Sequence, residues 1–522
     1  MATVDREDQP KSDTERLHEL GYAQELLRRM SGFSNFAVSF TIISILSGCL
    51  TLYGYGMLTG GPVVMSIGWP LVGIMVTLVG LSMAEIASAY PTAGGLYYWS
   101  AKLAKSNGAA WSWFTGWFNV LGQIAVTAGI DFGLAFFLTA FLSLQFGYGT
   151  DAINVIGVYF VVLAAHGLLN TFGVRLVALL NDISVWWHIL GVLVIVGALA
   201  IIPAHHQSLS YVFTHFVNKQ GWTGPFAGIY VFALGLLLAQ YTFTGYDASA
   251  HMTEETQDAA RSAPRGIVMS IIISLIAGWV LLLGVTFAIQ NYDSEVGALV
   301  PPAQIFIDAI GPTGGKLLLL IVIGAQFFCG MSSVTANSRM IYAFSRDGAL
   351  PLSHFWHRVN KRTRTPTNSI WLAAAGAFVL GLPYLSSKSG NTEAYGAVTS
   401  IATIGLYIAY ILPVVLRMRA GERFQRGPWQ LGRWSRPVNV IATIWVAFIV
   451  ILFMLPPASP IDMAKNFNYA PVAVLVVLAI SGGWWLASAR NWFKGPRVQG
   501  TPQELAAIER ELGEVGTPAS VR

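Results

Sequence analysis

Apolar runs cut by short polar stretches recur along the whole chain. A run of about 20 residues is long enough to cross a bilayer as a helix. The pattern predicts spans at 36–58, 62–89, 112–143, 154–172, 183–203, 225–256, 267–290, 316–345, 369–386, 397–416, 439–457 and 470–488. Twelve crossings leave both termini on one side. Two of the runs are interrupted. The first reads SFTIISILSGCLTLYGYGMLTGGP, with Ser47 and Gly48 in its middle and Gly54 and Gly56 beyond. The sixth turns polar in mid-run, at Thr242, Thr244, Gly245, Tyr246 and Asp247. Hydrocarbon cannot satisfy loose backbone groups, so irregular sequence at that depth must face protein or a water-filled cavity. Spans 1 and 6 run in opposite directions, because an odd number of crossings separates them. Matching breaks in oppositely directed helices predict an inverted repeat with its site at the bilayer midplane. The repeats would be 36–203 and 225–416, with 439–488 an appended helix pair and 1–35 and 489–522 as tails.

Composition agrees and charge orients the chain. The sequence is 54% hydrophobic and 11% charged, against about 25% charged in soluble domains. The net charge of +5 therefore reports orientation rather than nucleic-acid affinity. With a cytoplasmic N-terminus, the internal loops carry Lys102, Lys105, Arg175, Arg261, Arg265, the cluster at 346–364, and Arg417, Arg419, Arg423, Arg426, Arg433 and Arg436. The external loops hold Lys219, Lys316, Lys388 and Lys465. That asymmetry predicts a multi-pass plasma (inner) membrane protein with both termini in the cytoplasm. The first thirty residues lack an apolar core and are not a cleavable signal. Ser12 to Glu15 fit a capping box, and Leu17, Leu20, Leu27 and Met30 suit one helical face. Cys49 and Cys329 both fall in apolar runs, so disulfides are not the scaffold.

A helix broken at mid-membrane exposes amides at the start of its second half and carbonyls at the end of its first; these attract an anion and a cation. The amides of Ser47, Gly48 and Cys49 would take a carboxylate, and the carbonyls near Thr242, Phe243 and Thr244 an amine. Gly48 and Gly245 could instead serve close helix packing. Asp247 could bind an amine, carry a proton or hold the break, since a carboxylate at this depth costs at least about 2.5 kcal/mol. Asn119 and Gln123 lie one turn apart in span 3, either lining the cavity or bridging helices. Ser332 and Ser333, with Thr335 and Asn337, give span 8 a polar stripe and a candidate Na⁺ site, or a packing seam. His188 is a candidate proton relay in span 5, or a satisfied buried histidine. Glu85, Glu254, Glu255 and Asp258 could close a cytoplasmic gate opposite Arg261, Arg265 and the basic loops. The alternative is solvated end charges. Tyr241, Phe243 and Tyr246 could close over a ligand or simply fill space.

Several stretches resemble the amino acid–polyamine–organocation (APC) superfamily: LGY at 20–22, FSNFAVSFTIIS at 33–44, GGP at 60–62, AEIASAYPTAGGLYYWSA at 84–101, NTFGVRLVALLNDISVWWH at 170–188, TFTGYDASAHMTEET at 242–256 and SRDGALP at 345–351. Within it they look most like the amino acid/choline branch that includes GABA permeases. The resemblance runs from about 17 to 490 and implies a LeuT-like five-plus-five all-α fold with discontinuous helices 1 and 6. It implies that Ser47 and Gly48 hold a carboxylate, that 243–245 hold an amine, and that Phe243 is an aromatic gate. Asp247 stands where some relatives carry a gating or proton-linked glutamate. The sequence departs from the family pattern at Ser47-Gly48-Cys49, where relatives have Gly-Ser-Gly, and has no lysine in 182–203.

These readings converge on a secondary transporter of small zwitterionic amino acids or GABA-like amines, working by alternating access with H⁺ or Na⁺ as coupling ion, or by exchange. A choline or polyamine transporter is the alternative within the class; a channel or a transport-derived receptor lies outside it. No Walker A pattern, clustered metal ligands or activated nucleophile occurs, so neither an enzyme nor a cofactor is expected.

Overall fold

The computed structural model describes residues 12–172, 174–386, 392–461 and 467–516; Lys388 and Lys465 lie outside the described residues. Among these, eleven helices are long and apolar enough to cross a membrane, and Ala227–Thr242 is a shorter apolar one. No strand forms among the described residues. The molecule is an all-α, multi-pass membrane protein.

Span 1 is Gly32–Ile43 followed by Ile45–Thr51 and Tyr53–Leu58. It starts where the Ser31 hydroxyl accepts from the Ser34 amide, one of the donors a helix start leaves open. Span 2 is Trp69–Ala89, span 3 Gly108–Phe146, span 4 Ala152–Phe172 and span 5 Val174–Ile201. Span 6 is Ala227–Gly235 and Leu237–Thr242, resuming as Ala248–His251 after an irregular stretch. Spans 7 to 12 are Ala259–Phe287, Pro301–Arg346, Thr367–Gly381, Thr392–Ala420, Ser435–Leu452 and Ala470–Trp484.

Five features differ from the sequence expectation. The break in span 1 falls at Ser44, not at Ser47 and Gly48. Span 5 begins at Val174, so Arg175 lies in its first turn rather than in a loop. Span 8 extends back to Pro301 through a kink at Gly311, whose φ of 81° lets the chain turn before it crosses. A short helix, Gly95–Leu103, fills the loop between spans 2 and 3. The N-terminal helix forms on its Ser12–Glu15 capping box but stops at Glu19, so Leu27 and Met30 do not share its face.

The broken helices sit inside. In span 1, 83% of the apolar stretch is buried within the protein, in span 3 78% and in span 10 72%, against 17% for span 12. Span 12 is therefore rim, and spans 3, 8 and 10 wall in the breaks. The described segments nearest the two termini meet on one side, here called the terminal side: His18 Nε2 lies 2.7 Å from Glu509 and the Ala23 amide donates to Gln499 at 2.7 Å.

Candidate binding site at the paired helix breaks

The two breaks touch. A Cβ built on Gly48 would stand 2.6 Å from both Cγ2 and Oγ1 of Thr242, and one on Gly245 2.2 Å from Cγ2 of Ile42. The outer half of span 1 thus lies on the first half of span 6, and the inner half of span 1 on the turn after it. Ser39 Oγ, one turn before the first break, donates to the Tyr246 carbonyl at 2.9 Å and accepts from the Ser249 amide at 2.9 Å.

Ser44 makes the first break with φ 38° and ψ 81°, left-handed for a residue that carries a Cβ. Its carbonyl accepts from the amides of Ser47 and Gly48 at 2.8 Å each, so neither amide is free for a ligand. The Cys49 amide lies deeper in that helical turn. Ile45 and Leu46 open the second half of span 1, the positions at which a helix leaves its amides without an intrahelical acceptor. The predicted carboxylate pole therefore moves from Ser47, Gly48 and Cys49 to Ile45 and Leu46. His188 holds the turn. Its Nδ1 lies 2.7 Å from the Ser184 carbonyl, so that nitrogen carries the hydrogen and Nε2 accepts from the Ser44 hydroxyl at 2.7 Å.

In span 6 the carbonyls of Thr242 and Thr244 receive no hydrogen bond among the described residues. That of Phe243 accepts from the Tyr407 hydroxyl, and the hydroxyls of Thr242 and Thr244 turn back to the carbonyls of Leu238 and Tyr241 at 2.7 Å. Gly245 takes φ 85°, and its amide donates to the Tyr410 hydroxyl at 3.2 Å.

Asp247 is fully buried and sits at the centre of a closed polar cluster. Oδ1 accepts from the Tyr410 hydroxyl at 2.6 Å and Oδ2 from Gln123 Nε2 at 2.7 Å. His251 Nε2, one turn on, lies 3.2 Å from Oδ2. His251 Nδ1 is 2.9 Å from the Ala93 carbonyl and so carries its hydrogen. Nε2 of a neutral ring and a carboxylate oxygen are both acceptors, so the 3.2 Å contact becomes a hydrogen bond when one proton is shared between them. Asn119 Nδ2, 3.3 Å from the same Nε2, and Gln123 thus serve this cluster rather than line a void.

Other candidates are placed elsewhere. The Phe243 ring packs on Trp69 of span 2, centroids 4.5 Å apart, with no exposure; it does not stand over the breaks. The Tyr246 ring packs 5.0 Å from that of Tyr410. Ser332 donates to Asn181 of span 5 and Ser333 pairs with Thr127 of span 3 at 2.8 Å. The two hydroxyls point to different helices and do not converge on one cation. Of the acidic span ends, Glu254 binds Arg346 through both oxygens at 3.0 and 3.1 Å, and Glu255 binds Arg339 at 2.8 Å. Glu85 lies 3.4 Å from Arg417 and accepts from Ser435 at 2.6 Å. These ion pairs are buried, with Arg346 also 3.9 Å over the Tyr22 ring. Arg261 faces Asp258, another of these acids, in an exposed 3.7 Å contact.

The terminal side is thus closed under the breaks, while two cavities open on the other side. One, of about 140 Å³, reaches Tyr55, Leu237 and Ser400. The other, of about 50 Å³, reaches Thr51, Gly133 and Tyr395. Tyr407, Tyr410 and His251 escaped the sequence reading. His251 could have been found from its one-turn spacing to Asp247; the tyrosines come from span 10 and no local pattern links them to span 6.

A family model described as amino acid permease matches residues 30–479. The amino-acid permease BAT1 of Arabidopsis thaliana is 46% identical over 503 residues, covering 92% of this chain and 95% of its own. Its Oryza sativa subsp. japonica homolog is 46% identical over 502 residues with the same coverage. An uncharacterized amino-acid permease of Schizosaccharomyces pombe is 32% identical over 493 residues, 92% of this chain and 89% of its own.

Proposed function

The chain belongs to the amino acid permease family and moves amino acids rather than transforming them, and on that premise we propose a proton-driven secondary carrier working by alternating access. The observation that carries the reading is the buried 3.2 Å contact of Asp247 with His251, joined to the break of span 6 through Tyr410; we take it as the proton site. A zwitterionic substrate would lie across the two breaks, its carboxylate toward the amides of Ile45 and Leu46. Its ammonium would face the carbonyls of Thr242 and Thr244. Opposite half-charges at the ends of two half-helices suit that dipole. Proton rather than sodium coupling is favoured because Ser332 and Ser333 spend their hydroxyls on separate helices. The basic loops of the terminal side support a plasma-membrane carrier with both termini in the cytoplasm.

The test is purified protein in liposomes, with imposed pH or Na⁺ gradients and labelled alanine, glutamate, lysine, GABA, choline and putrescine. Accumulation of an amino acid driven by an inward proton gradient, with counterflow, is the expected result. Accumulation that follows Na⁺ alone, or transport confined to choline or putrescine, would defeat it.

In this reading Glu254–Arg346 and Glu255–Arg339 lock the cytoplasmic side. Removing one partner of a buried ion pair costs about 3–5 kcal/mol, a cost confined to the state in which the pair forms. Glu254→Gln is therefore expected to favour the cytoplasm-open state. An Ala93→Cys reporter is buried in the closed state, as are Cys49 and Cys329. It should label with an aqueous maleimide faster by about tenfold for each ~1.4 kcal/mol of shift. Equal labelling with and without Glu254→Gln would make the pair a static strut.

A further inference from the structure

We infer that Asp131 of span 3 and His166 of span 4 form a second proton-binding site of the carrier, loaded from the side opposite the termini. The inference rests on the proton coupling proposed above but on different residues. Both side chains are fully buried, with His166 Nδ1 3.0 Å from Asp131 Oδ1. The contact is close, yet its angle is not that of a hydrogen bond. Neither Asp131 oxygen and neither His166 nitrogen has a hydrogen-bond partner among the described residues. Room for the pair is made by Gly330 of span 8, where a Cβ would stand 1.8 Å from Oδ1 and 2.6 Å from His166 Cε1. Phe327 covers the imidazole, centroids 4.6 Å apart.

The charge balance makes this a proton site. An isolated buried carboxylate is costly and needs a partner. No lysine or arginine occurs from 106 to 174. On span 8, Lys316 is held by Gln145, and Arg339 and Arg346 are committed to Glu255 and Glu254. The titratable groups facing Asp131 from other helices are Tyr159 of span 4, Tyr241 of span 6 and Cys329 of span 8, none of them cationic. His166 alone can compensate the charge. While the surroundings are dry, the pair is stable with one added proton, shared as acid beside neutral imidazole or as carboxylate beside imidazolium. It releases that proton to water, leaving a net negative charge, only when water reaches it.

Span 3 sets the pair apart from the first proton site. Asn119, Gln123, Thr127 and Asp131 recur every four residues, one face of a helix. The first two serve His251 and Asp247, the third pairs with Ser333, and the fourth meets His166. At 1.5 Å per residue, Asp131 lies about 12 Å beyond Gln123, toward the side opposite the termini. The cavity that reaches Gly133 and Thr51 ends within a turn of it. A proton arriving by that cavity meets Asp131 before Asp247.

Two measurements test the site. Infrared titration of the purified carrier without any gradient should show a protonated carboxyl band that titrates with pH and disappears in Asp131→Asn. In liposomes, Asp131→Asn and His166→Gln should keep counterflow while lowering pH-driven accumulation by about tenfold. The double variant should fall no further than either single one, since the two side chains hold one proton. Absence of an Asp131-dependent band, or wild-type accumulation in both variants while the wild type is pH-driven, would overturn the inference. A wild type indifferent to pH gradients but showing the band would end the coupling reading and leave the site standing.

Discussion

Asp247→Asn is expected to abolish pH-driven accumulation while the carrier still folds, binds its amino acid and catalyses exchange. Asp247 receives hydrogen bonds from Tyr410 at 2.6 Å and Gln123 at 2.7 Å, and faces His251 Nε2 at 3.2 Å. In the asparagine variant the carbonyl keeps Tyr410, and the NH₂ donates to the Nε2 lone pair of a neutral His251. Gln123 can turn its amide to present oxygen. The variant therefore reproduces the protonated cluster and cannot release its proton. A carrier fixed in that form exchanges substrate for substrate but cannot use a proton gradient. The loss should fall at the upper end of ordinary site-to-site coupling, which is about 5–150-fold. His251→Gln should share the defect, because it removes the other half of the proton-sharing pair. Uptake at fixed internal pH with stepped external pH, set beside counterflow, reads both. An Asp247→Asn carrier that concentrates substrate as well as the wild type would reduce the aspartate to a brace for the break.

The broken helices were legible in the sequence to different degrees. Span 6 announced itself, because Thr-Gly-Tyr-Asp inside an apolar run has no stable place in hydrocarbon and Gly245 does take a left-handed turn. Span 1 misled. Gly48 looked like a breaker, but it is helical and small because Thr242 presses on it. The turn falls on Ser44, a residue with no special sequence signal, whose strained φ is held by His188 from span 5. The span 6 break shows locally because glycine and polar residues form it, even though Tyr407 and Tyr410 of span 10 brace it, whereas the span 1 break carries no such mark. Asp131 is a separate lesson. The rule that singled out Asp247, a lone acid in an apolar run, applies equally to it. What the sequence could not supply was His166 as its partner, which the packing of spans 3, 4 and 8 brings in.

The closeness of the two breaks makes a second large effect. Gly48→Ala and Gly245→Ala should each stop transport, for different reasons that a rescue experiment separates. At Gly48 the backbone is helical and alanine suits it; the whole cost is the collision with Thr242, 2.6 Å away. Thr242→Ala removes the two nearest atoms, Cγ2 and Oγ1, and leaves its Cβ 2.9 Å away; the free carbonyl assigned to the substrate ammonium belongs to the backbone and stays. Relieved of the two closest atoms, the Gly48→Ala/Thr242→Ala carrier should recover part of the counterflow. Gly245 adds a backbone term, since φ 85° is left-handed and costs an L-residue about 1–2 kcal/mol. It also meets Ile42 at 2.2 Å. Ile42→Ala removes the second problem but not the first, so Gly245→Ala/Ile42→Ala should stay well below the rescued Gly48 variant. Thermal melting in detergent sorts folding from function: Gly245→Ala should melt lower than Gly48→Ala/Thr242→Ala. If Thr242→Ala fails to restore Gly48→Ala although the double variant melts like the wild type, then Gly48 is needed bare by the substrate itself. The carboxylate pole would then extend from Ile45 and Leu46 to the glycine.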